Sequence, residues 1–109
     1  MKKASWTERA DDAANFLTET DAKLARLHHA HELSKRKAKR IWSAIFTRVE
    51  GNIEERKAQT EIHTDYLVAV DDELEALLTF EILRNQRDTA DTVIDFWRSW
   101  NKAKTEGVI

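Results

Sequence analysis

The chain has 109 residues, of which two are glycine and none is proline or cysteine, and 35% of the residues are charged. This length predicts one domain with a slim core, and the hydrophobic share of 41% excludes wholesale disorder. The absence of cysteine excludes disulfides, thiol nucleophiles and thiolate metal sites, and it suits a reducing compartment.

The start of the chain predicts neither secretion nor membrane insertion. Met1 is followed by positive charge, but acidic residues then stand where a secretory signal needs an apolar run. No later stretch is apolar over a membrane-spanning length. We therefore expect a cytoplasmic protein that does not associate with a membrane.

The net charge is only −2, but the charges are unevenly distributed. Residues 22–49 contain eight Lys or Arg and one acid, which gives +7, whereas residues 50–81 contain ten acids and two basic residues, which gives −8. The plain interpretation is that the two segments face each other within one molecule, in exposed pairs worth ~0.2–1 kcal/mol each. A hairpin about Gly51 would place the basic residues 35–40 opposite residues 61–65.

A short helix is predicted over residues 6–17. Ser5 and Glu8 fit a capping box, in which the serine hydroxyl accepts a backbone N–H and the glutamate carboxylate accepts the N–H of the serine. Residues 18–21 are poor helix formers and good capping residues, so we predict a kink or break there.

A second helix is predicted over residues 19–49, because residues alternately three and four apart form a heptad seam. The seam runs through Leu24, Leu27, His31, Ser34, Ala38, Ile41, Ile45 and Arg48. The same spacing continues backwards to Ala10, so one unbroken helix from residue 6 to residue 49 is an alternative.

Gly51 is the only glycine before the last three residues, and it predicts a chain reversal. Asn52 supplies an N-cap with Glu55 three residues later, so a long third helix is predicted over residues 53–104. Its strongest apolar stripe would lie against the preceding helix and consists of Tyr66, Leu67, Val70, Leu74, Leu77 and Leu78. The predicted fold class is all-α, a long antiparallel, coiled-coil-like helical hairpin with a short N-terminal helix. A break in the polar residues 85–89 would instead give four helices.

The last part of the predicted helix 53–104 is apolar on two sides, which requires two sets of neighbours. This helix would be ~75 Å long, against ~45 Å for the second helix, so its end would overhang. The N-terminal helix can cover one side, and we expect a second copy or a foreign partner on the other. The predicted oligomer or partner interface consists of Ile82, Val93, Phe96, Trp97 and Trp100.

Five of the six residues from Lys35 to Arg40 are cationic, which favours a surface that binds an acidic protein or phosphate. The predicted partner-binding residues are Lys35, Arg36, Lys39 and Arg40. Trp42 lies near enough to stack on a base, so direct nucleic-acid binding is an alternative. Against it, the chain is slightly acidic overall, and the cluster wraps round a helix instead of lining one groove.

The residue patterns predict no enzyme and no cofactor. His28, His31 and Glu32 lie on one predicted helix, but a zinc or di-iron site needs three or four converging ligands, and no second cluster has the matching spacing. The serines fall at caps or inside helices, and the chain has no Gly-rich phosphate loop. We therefore expect no catalytic residue and no bound metal.

Residues 94–109 form a pattern of aromatic, basic and small residues. They contain the pair Trp97 and Arg98, then Asn101, basic residues and a terminal Gly-x-Ile. This pattern resembles the ends of short, little-characterised helical proteins of tailed bacteriophages and prophages, often encoded among early or recombination genes. The resemblance covers less than half of the chain. It implies an accessory protein that acts by binding in the host cytoplasm, and it transfers no catalytic residue.

Together these patterns predict a non-catalytic accessory or inhibitor protein that binds a host or phage machine and associates with itself as a homo-oligomer. The alternative is a small nucleic-acid-binding protein that uses residues 35–40. A structural or scaffolding component of the virion comes third.

Overall fold

The computed structural model describes residues 5–107, which form three helices. These are α1 (Trp6–Arg48), α2 (Ile53–Glu61) and α3 (Thr64–Thr105), and this part of the chain contains no strand. Residues 1–4 and 108–109 lie outside the described residues. These residues include the positively charged start and the last isoleucine of the Gly-x-Ile pattern, so the predictions that use them fall outside the described residues.

The predicted N-caps and the predicted turn are confirmed. The Ser5 hydroxyl accepts the N–H of Glu8 (3.1 Å), and the Asn52 side chain accepts the N–H of Glu55 (2.9 Å). Gly51 has φ +127°, where a residue with a Cβ would be strained. The chain therefore reverses at Gly51, and α2 begins two residues later, after its N-cap Asn52.

The predicted break at residues 18–21 is absent, because α1 is one helix of 43 residues. This is the alternative that the continuous seam allows. Thr18 donates its hydroxyl to the carbonyl oxygen of Ala14 (3.1 Å), and Thr20 donates to that of Phe16 (2.6 Å). Both side chains thus bond within the helix, four residues back, instead of capping a new one.

The predicted helix 53–104 is instead divided at Ile62 and His63. α3 begins where the Nδ1 atom of His63 accepts the N–H of Asp65 (3.1 Å). Histidine is not among the favoured N-cap residues, so this boundary has no standard sequence signal. The alternative break at residues 85–89 is absent, since α3 continues through them.

The chain forms two compact units. The described part of unit 1, residues 5–24 and 82–107, pairs the start of α1 with the end of α3. The Trp6 and Phe96 ring centroids are 4.3 Å apart, and Arg87 donates to the Leu17 carbonyl oxygen (2.7 Å). Contact positions rise along α1 as they fall along α3, so the helices are antiparallel. The buried apolar residues of this unit are Ala10, Ala13, Leu83 and Ala90.

Unit 2, residues 25–81, contains the second half of α1, all of α2 and the first part of α3. The ring centroids of His28 and Phe80 are 5.2 Å apart, and His31 Nε2 lies 3.9 Å from Glu73 Oε1. These pairs again run in opposite directions, which confirms the predicted antiparallel helical hairpin. The buried residues of this unit are Ala38, Ile45, Thr60 and Ala69.

The core is rich in alanine. Among residues 5–107, five of the seven buried hydrophobic residues are alanines, and the other two are Ile45 and Leu83. A small side chain lets two helices approach closely, but it removes little apolar area from water. Consequently, much of the larger apolar surface of α1 and α3 stays outside the core.

The predicted overhang of the last helix followed from a break at residues 18–21 and from a helix that ran unbroken through residues 62–63. Neither expectation holds, because α1 has 43 residues and α3 has 42. Each is ~64 Å long at 1.5 Å per residue, so the two helices do not differ in length as the sequence predicted.

Candidate partner-binding surfaces

The basic cluster of residues 35–40 lies on α1 in unit 2. Lys35, Arg36, Lys39 and Arg40, the four predicted partner-binding residues, are all exposed. Their side chains do not share one direction, because successive positions on a helix are separated by about 100°. The cluster therefore contributes to two different surfaces.

The first surface is a groove between α1 and α3 with a volume of about 480 Å³. We call it the lysine groove. It is lined by Lys35, Ala38, Lys39, Trp42 and Ser43 from α1 and by Tyr66 and Glu73 from α3. The Trp42 ring is stacked on Phe46, with centroids 4.9 Å apart and ring planes 9° from parallel. The groove thus combines two ammonium groups with a fixed aromatic wall.

The second surface lies on α1 around Leu33, whose side chain is 48% exposed. Leu33 lines a shallow concavity of about 460 Å³ with Arg36, Lys39 and Arg40, and a neighbouring one of about 470 Å³ with Arg26, His29 and two alanines. We call Arg26, Leu33, Arg36 and Arg40 the arginine surface. An exposed leucine among three guanidinium groups offers apolar contact and charged hydrogen bonding at one place.

The expected neutralisation of the basic segment by the acidic segment does not occur as ion pairs. Within residues 5–107, none of the cations from Lys35 to Arg40 lies within 4.0 Å of a carboxylate oxygen. His31 Nε2 of the basic segment lies 3.9 Å from Glu73 Oε1 of the acidic segment, but His31 lies outside the cluster. The positive charge of the cluster is therefore available to a partner.

Some residues of the predicted interface near the end of α3 already make contacts within unit 1. The Trp97 indole N–H donates to the hydroxyl of Thr7 (3.2 Å), and the Trp6 ring covers part of Phe96. Trp100 lies under the ammonium group of Lys104, 5.0 Å from the ring centroid. Exposure also varies among the five predicted residues: Ile82 and Phe96 are each 50% exposed, and Val93, Trp97 and Trp100 are half-buried.

Arg87 is a structural residue that the sequence reasoning missed. Its guanidinium group donates to the Leu17 carbonyl oxygen (2.7 Å) and the Thr20 hydroxyl (2.8 Å), and it lies 3.5 Å from Asp21 Oδ1. The sequence contained a signal for this contact, because Arg87 follows the apolar Leu83 by four residues and therefore lies on the same face of α3. One of the polar residues that predicted a helix break thus joins α3 to α1 by hydrogen bonds.

Arg56 was missed as well, although it fastens α2 to the end of α1. Its guanidinium group donates twice to the Phe46 carbonyl oxygen (3.2 and 2.7 Å) and lies 4.1 Å from the centroid of the Phe46 ring. A cation here faces the negative end of the α1 dipole. Behind it, the completely buried Thr60 donates its hydroxyl to the Arg56 carbonyl oxygen (2.7 Å).

The histidines of α1 contact neighbouring carboxylates and an aromatic ring. His28 Nε2 lies 3.9 Å from Glu32 Oε1, one turn further along α1, and the His28 ring packs beside Phe80. In the described part of the chain, no three His, Cys, Asp or Glu side chains are placed to hold a metal ion together.

The apolar stripe of α3 is wider than its helical neighbour covers. Tyr66, Val70 and Leu77 are half-buried, and Ala69 is buried. Three leucines of the same predicted stripe stay about half exposed, Leu67 at 49%, Leu74 at 56% and Leu78 at 53%. The sequence predicted uncovered apolar residues toward the end of α3, where Ile82 and Phe96 are each 50% exposed, but it did not predict these leucines nearer the start of the helix.

The fold and these surfaces define an all-α helical hairpin with exposed charged and leucine-bearing faces. Among residues 5–107, no helix is both long and apolar enough to cross a bilayer. No protein-family model, no curated protein and no solved structure matches the chain.

Proposed function

We propose that this chain is a non-catalytic binding protein that docks on an acidic segment of another protein through the arginine surface. The observation that carries the proposal is the half-exposed Leu33 with Arg26, Arg36 and Arg40 around it, none of them paired with a carboxylate in the described residues. The role is that of an accessory or inhibitor protein. The resemblance of its last residues to phage proteins suggests a host or phage machine as the target.

The chemistry of this surface favours a protein partner. Arginine binds carboxylates through two parallel hydrogen bonds, and it is enriched at the energetic centres of protein interfaces. Leu33 adds an apolar anchor that a phosphate backbone does not use. An amphipathic acidic helix, with an apolar residue flanked by Asp or Glu, fits this combination.

Nucleic-acid binding is the second candidate, and the lysine groove favours it. Lys35 and Lys39 supply positive charge, and Trp42 and Tyr66 supply rings, the combination that binds single strands by charge and stacking. Glu73 lines the same groove and opposes phosphate there, so we rank this function second.

The test is a fluorescence-anisotropy titration with three labelled probes at two salt concentrations. The probes are an acidic leucine-containing helical peptide, a single-stranded DNA and a double-stranded DNA. We expect the peptide to bind, and we expect Arg36→Gln with Arg40→Gln to weaken it by about tenfold or more, as for charged contacts at an interface. The matched control is Lys57→Gln, which removes an exposed cation from α2.

Leu33 separates the two candidate functions. Leu33→Ser should weaken peptide binding and leave any DNA binding unchanged. DNA binding that falls steeply with salt and depends on Lys35 and Lys39 would establish the second function instead. Peptide binding that is unaffected by the arginine and leucine variants would contradict the proposed surface.

A further inference from the structure

The exposed leucines of α3 have the spacing of a helix–helix seam. Leu67, Leu74 and Leu78 are seven and four residues apart, and each is about half exposed. This spacing places them on one face of α3, as in the heptads of coiled coils. α3 already meets α1 through Ala69 and its half-buried neighbours, so the leucines form a second apolar face. We call it the leucine stripe.

Two carboxylates accompany the leucine stripe. Asp71 lies between Leu67 and Leu74 on the same face, and Glu75 lies four residues after Asp71 at its border. Both residues are exposed, and neither carboxylate has an ion-pair partner among the residues that the structure describes. Any partner that covers the stripe also takes Asp71 out of water. Since burial of an unpaired charge is costly, that partner needs cations at a matching position.

The lysine groove supplies cations with this spacing. Lys35 and Lys39 are four residues apart on α1, as Asp71 and Glu75 are on α3, so both pairs have an axial separation of ~6 Å. Both lysines are exposed and have no carboxylate within 4.0 Å in residues 5–107. Trp42 also lines the groove, and its ring offers apolar contact to a leucine.

The stripe and the groove lie side by side within unit 2. The α3 residues that line the groove are Tyr66 and Glu73, and each is followed directly by a leucine of the stripe, Leu67 or Leu74. One face of the unit therefore carries leucines with carboxylates beside lysines with an aromatic ring. A face that contains both halves of a contact is self-complementary, which is the requirement for a two-fold symmetric pair.

From this juxtaposition we infer that two copies of the chain associate through unit 2. The leucine stripe of each copy packs along the lysine groove of the other. Asp71 and Glu75 of one copy lie opposite Lys35 and Lys39 of the second copy, and the symmetry repeats this set. Lys39 also borders the concavity around Leu33, but none of the four residues that define the arginine surface belongs to this contact. The dimer therefore stands independently of the proposed function.

The first experiment is sedimentation velocity of the full chain over a range of concentrations. We expect a monomer–dimer equilibrium, and we expect Leu74→Gln with Leu78→Gln to shift it to monomer while the circular dichroism spectrum stays helical. Leu33→Gln is the matched control, because Leu33 is a similarly exposed leucine of the same unit and lies outside the contact. A wild-type chain that stays monomeric, or forms a dimer that Leu33→Gln disrupts equally, would overturn the inference.

The second experiment reverses the charges. Asp71→Lys with Glu75→Lys should weaken the dimer by about tenfold or more, and so should Lys35→Glu with Lys39→Glu, since each places like charges opposite each other. A mixture of the two variants restores opposite charges at both symmetric positions, so it should form a heterodimer. Failure of the mixture to associate would contradict this register, and the Leu33 variant should again be neutral.

The two proposals can fail separately. Loss of dimerisation in the Leu74 and Leu78 variant should leave peptide binding at the arginine surface intact. Loss of peptide binding in the Arg36 and Arg40 variant should leave the dimer intact. If one pair of substitutions abolished both activities, the assignment of two separate surfaces would be wrong.

Discussion

At the residue scale, a few polar side chains hold this slim fold together. Arg87, 16% exposed in its side chain, bonds a carbonyl and a hydroxyl of α1, and Arg56 bonds a carbonyl near the end of α1. A guanidinium group with its stem against the helices provides both packing and hydrogen bonds. In an alanine-rich core, each of these contacts is a substantial part of the stability.

Replacement of Arg87 by alanine should lower the free energy of unfolding by about 2 kcal/mol, because it removes packing and a charge-assisted hydrogen bond. The measurement is chemical denaturation followed by circular dichroism. Arg98→Ala is the control, because Arg98 is 70% exposed and pairs with Asp95 three residues away on the same helix. We expect its effect to stay below about 0.5 kcal/mol. Equal effects of the two variants would argue against a stabilising role of the bonds from Arg87 to α1.

Gly51→Ala should destabilise the chain by about 1–2 kcal/mol, as substitution at positive φ does. A Cβ at this position would lie 2.9 Å from Glu55 Oε2 and 3.1 Å from Glu55 Cβ, in addition to the strain of φ +127°. Gly107→Ala, at φ +74° with no atom within 4 Å of its Cβ, tests the strain without the collision. The thermal midpoints of both variants distinguish the two contributions. A Gly51 variant as stable as the wild type would contradict the turn geometry.

At the element scale, the two long helices meet through small residues. Ala38 on α1 and Ala69 on α3 are each 4% exposed, and both lie in unit 2. Neighbouring side chains cover both of them, so a longer side chain at either position would have to displace those neighbours.

Ala38→Leu should therefore destabilise unit 2 by about 1–3 kcal/mol through overpacking, although leucine is a good helix former. The control is Ala58→Leu, at an exposed position of α2. It should change the free energy of unfolding by less than about 0.5 kcal/mol. The pair is compared by denaturant unfolding. A stabilising Ala38→Leu would mean that the helices are farther apart than the burial of Ala38 indicates.

Local signals predict some elements of this fold and fail for others. The caps at Ser5 and Asn52 and the turn at Gly51 follow from side-chain chemistry within three residues, and the structure contains all of them. The boundary at Ile62 and His63 has no such signal. The expected break at residues 18–21 rested on weak propensities of less than 1 kcal/mol per residue, which tertiary contacts override.

At the scale of the whole molecule, the separation of charge has consequences beyond the fold. The +7 and −8 segments form few ion pairs with each other within the described chain, so much of their charge faces solvent and partners. Long-range attraction between such surfaces accelerates and orients association, and it is sensitive to salt. The stability of the hairpin itself depends little on ion pairs.

Raising the salt concentration from ~0.1 M to ~1 M shortens the Debye length from ~10 Å to ~3 Å, so it should weaken the dimer. The monomer fraction in sedimentation velocity should rise, while the thermal midpoint of a dilute monomeric sample should change little. Salt does not screen the apolar contact of the leucine stripe, so dimerisation should persist at higher protein concentration. A dimer that strengthens with salt would show that its contact is apolar alone.

The candidate surfaces were predictable only in part. The sequence identified Lys35, Arg36, Lys39 and Arg40, but their division between a groove with Tyr66 and a surface around Leu33 depends on which face of α1 meets α3. The predicted interface around Trp97 rested on two apolar sides of the last helix and on an overhang. The sequence did not predict that the Trp97 indole N–H donates to Thr7 within unit 1.

The sequence by itself determined the helical content, the caps and the hairpin turn. These depend on glycine and proline placement, capping side chains and apolar spacing, which act over a few residues. The tertiary structure alone decided that α1 runs through residues 18–21 and which leucines of α3 are covered. Both depend on contacts between residues far apart in the chain, such as Arg87 with Leu17, whose energies exceed the local preferences that they oppose.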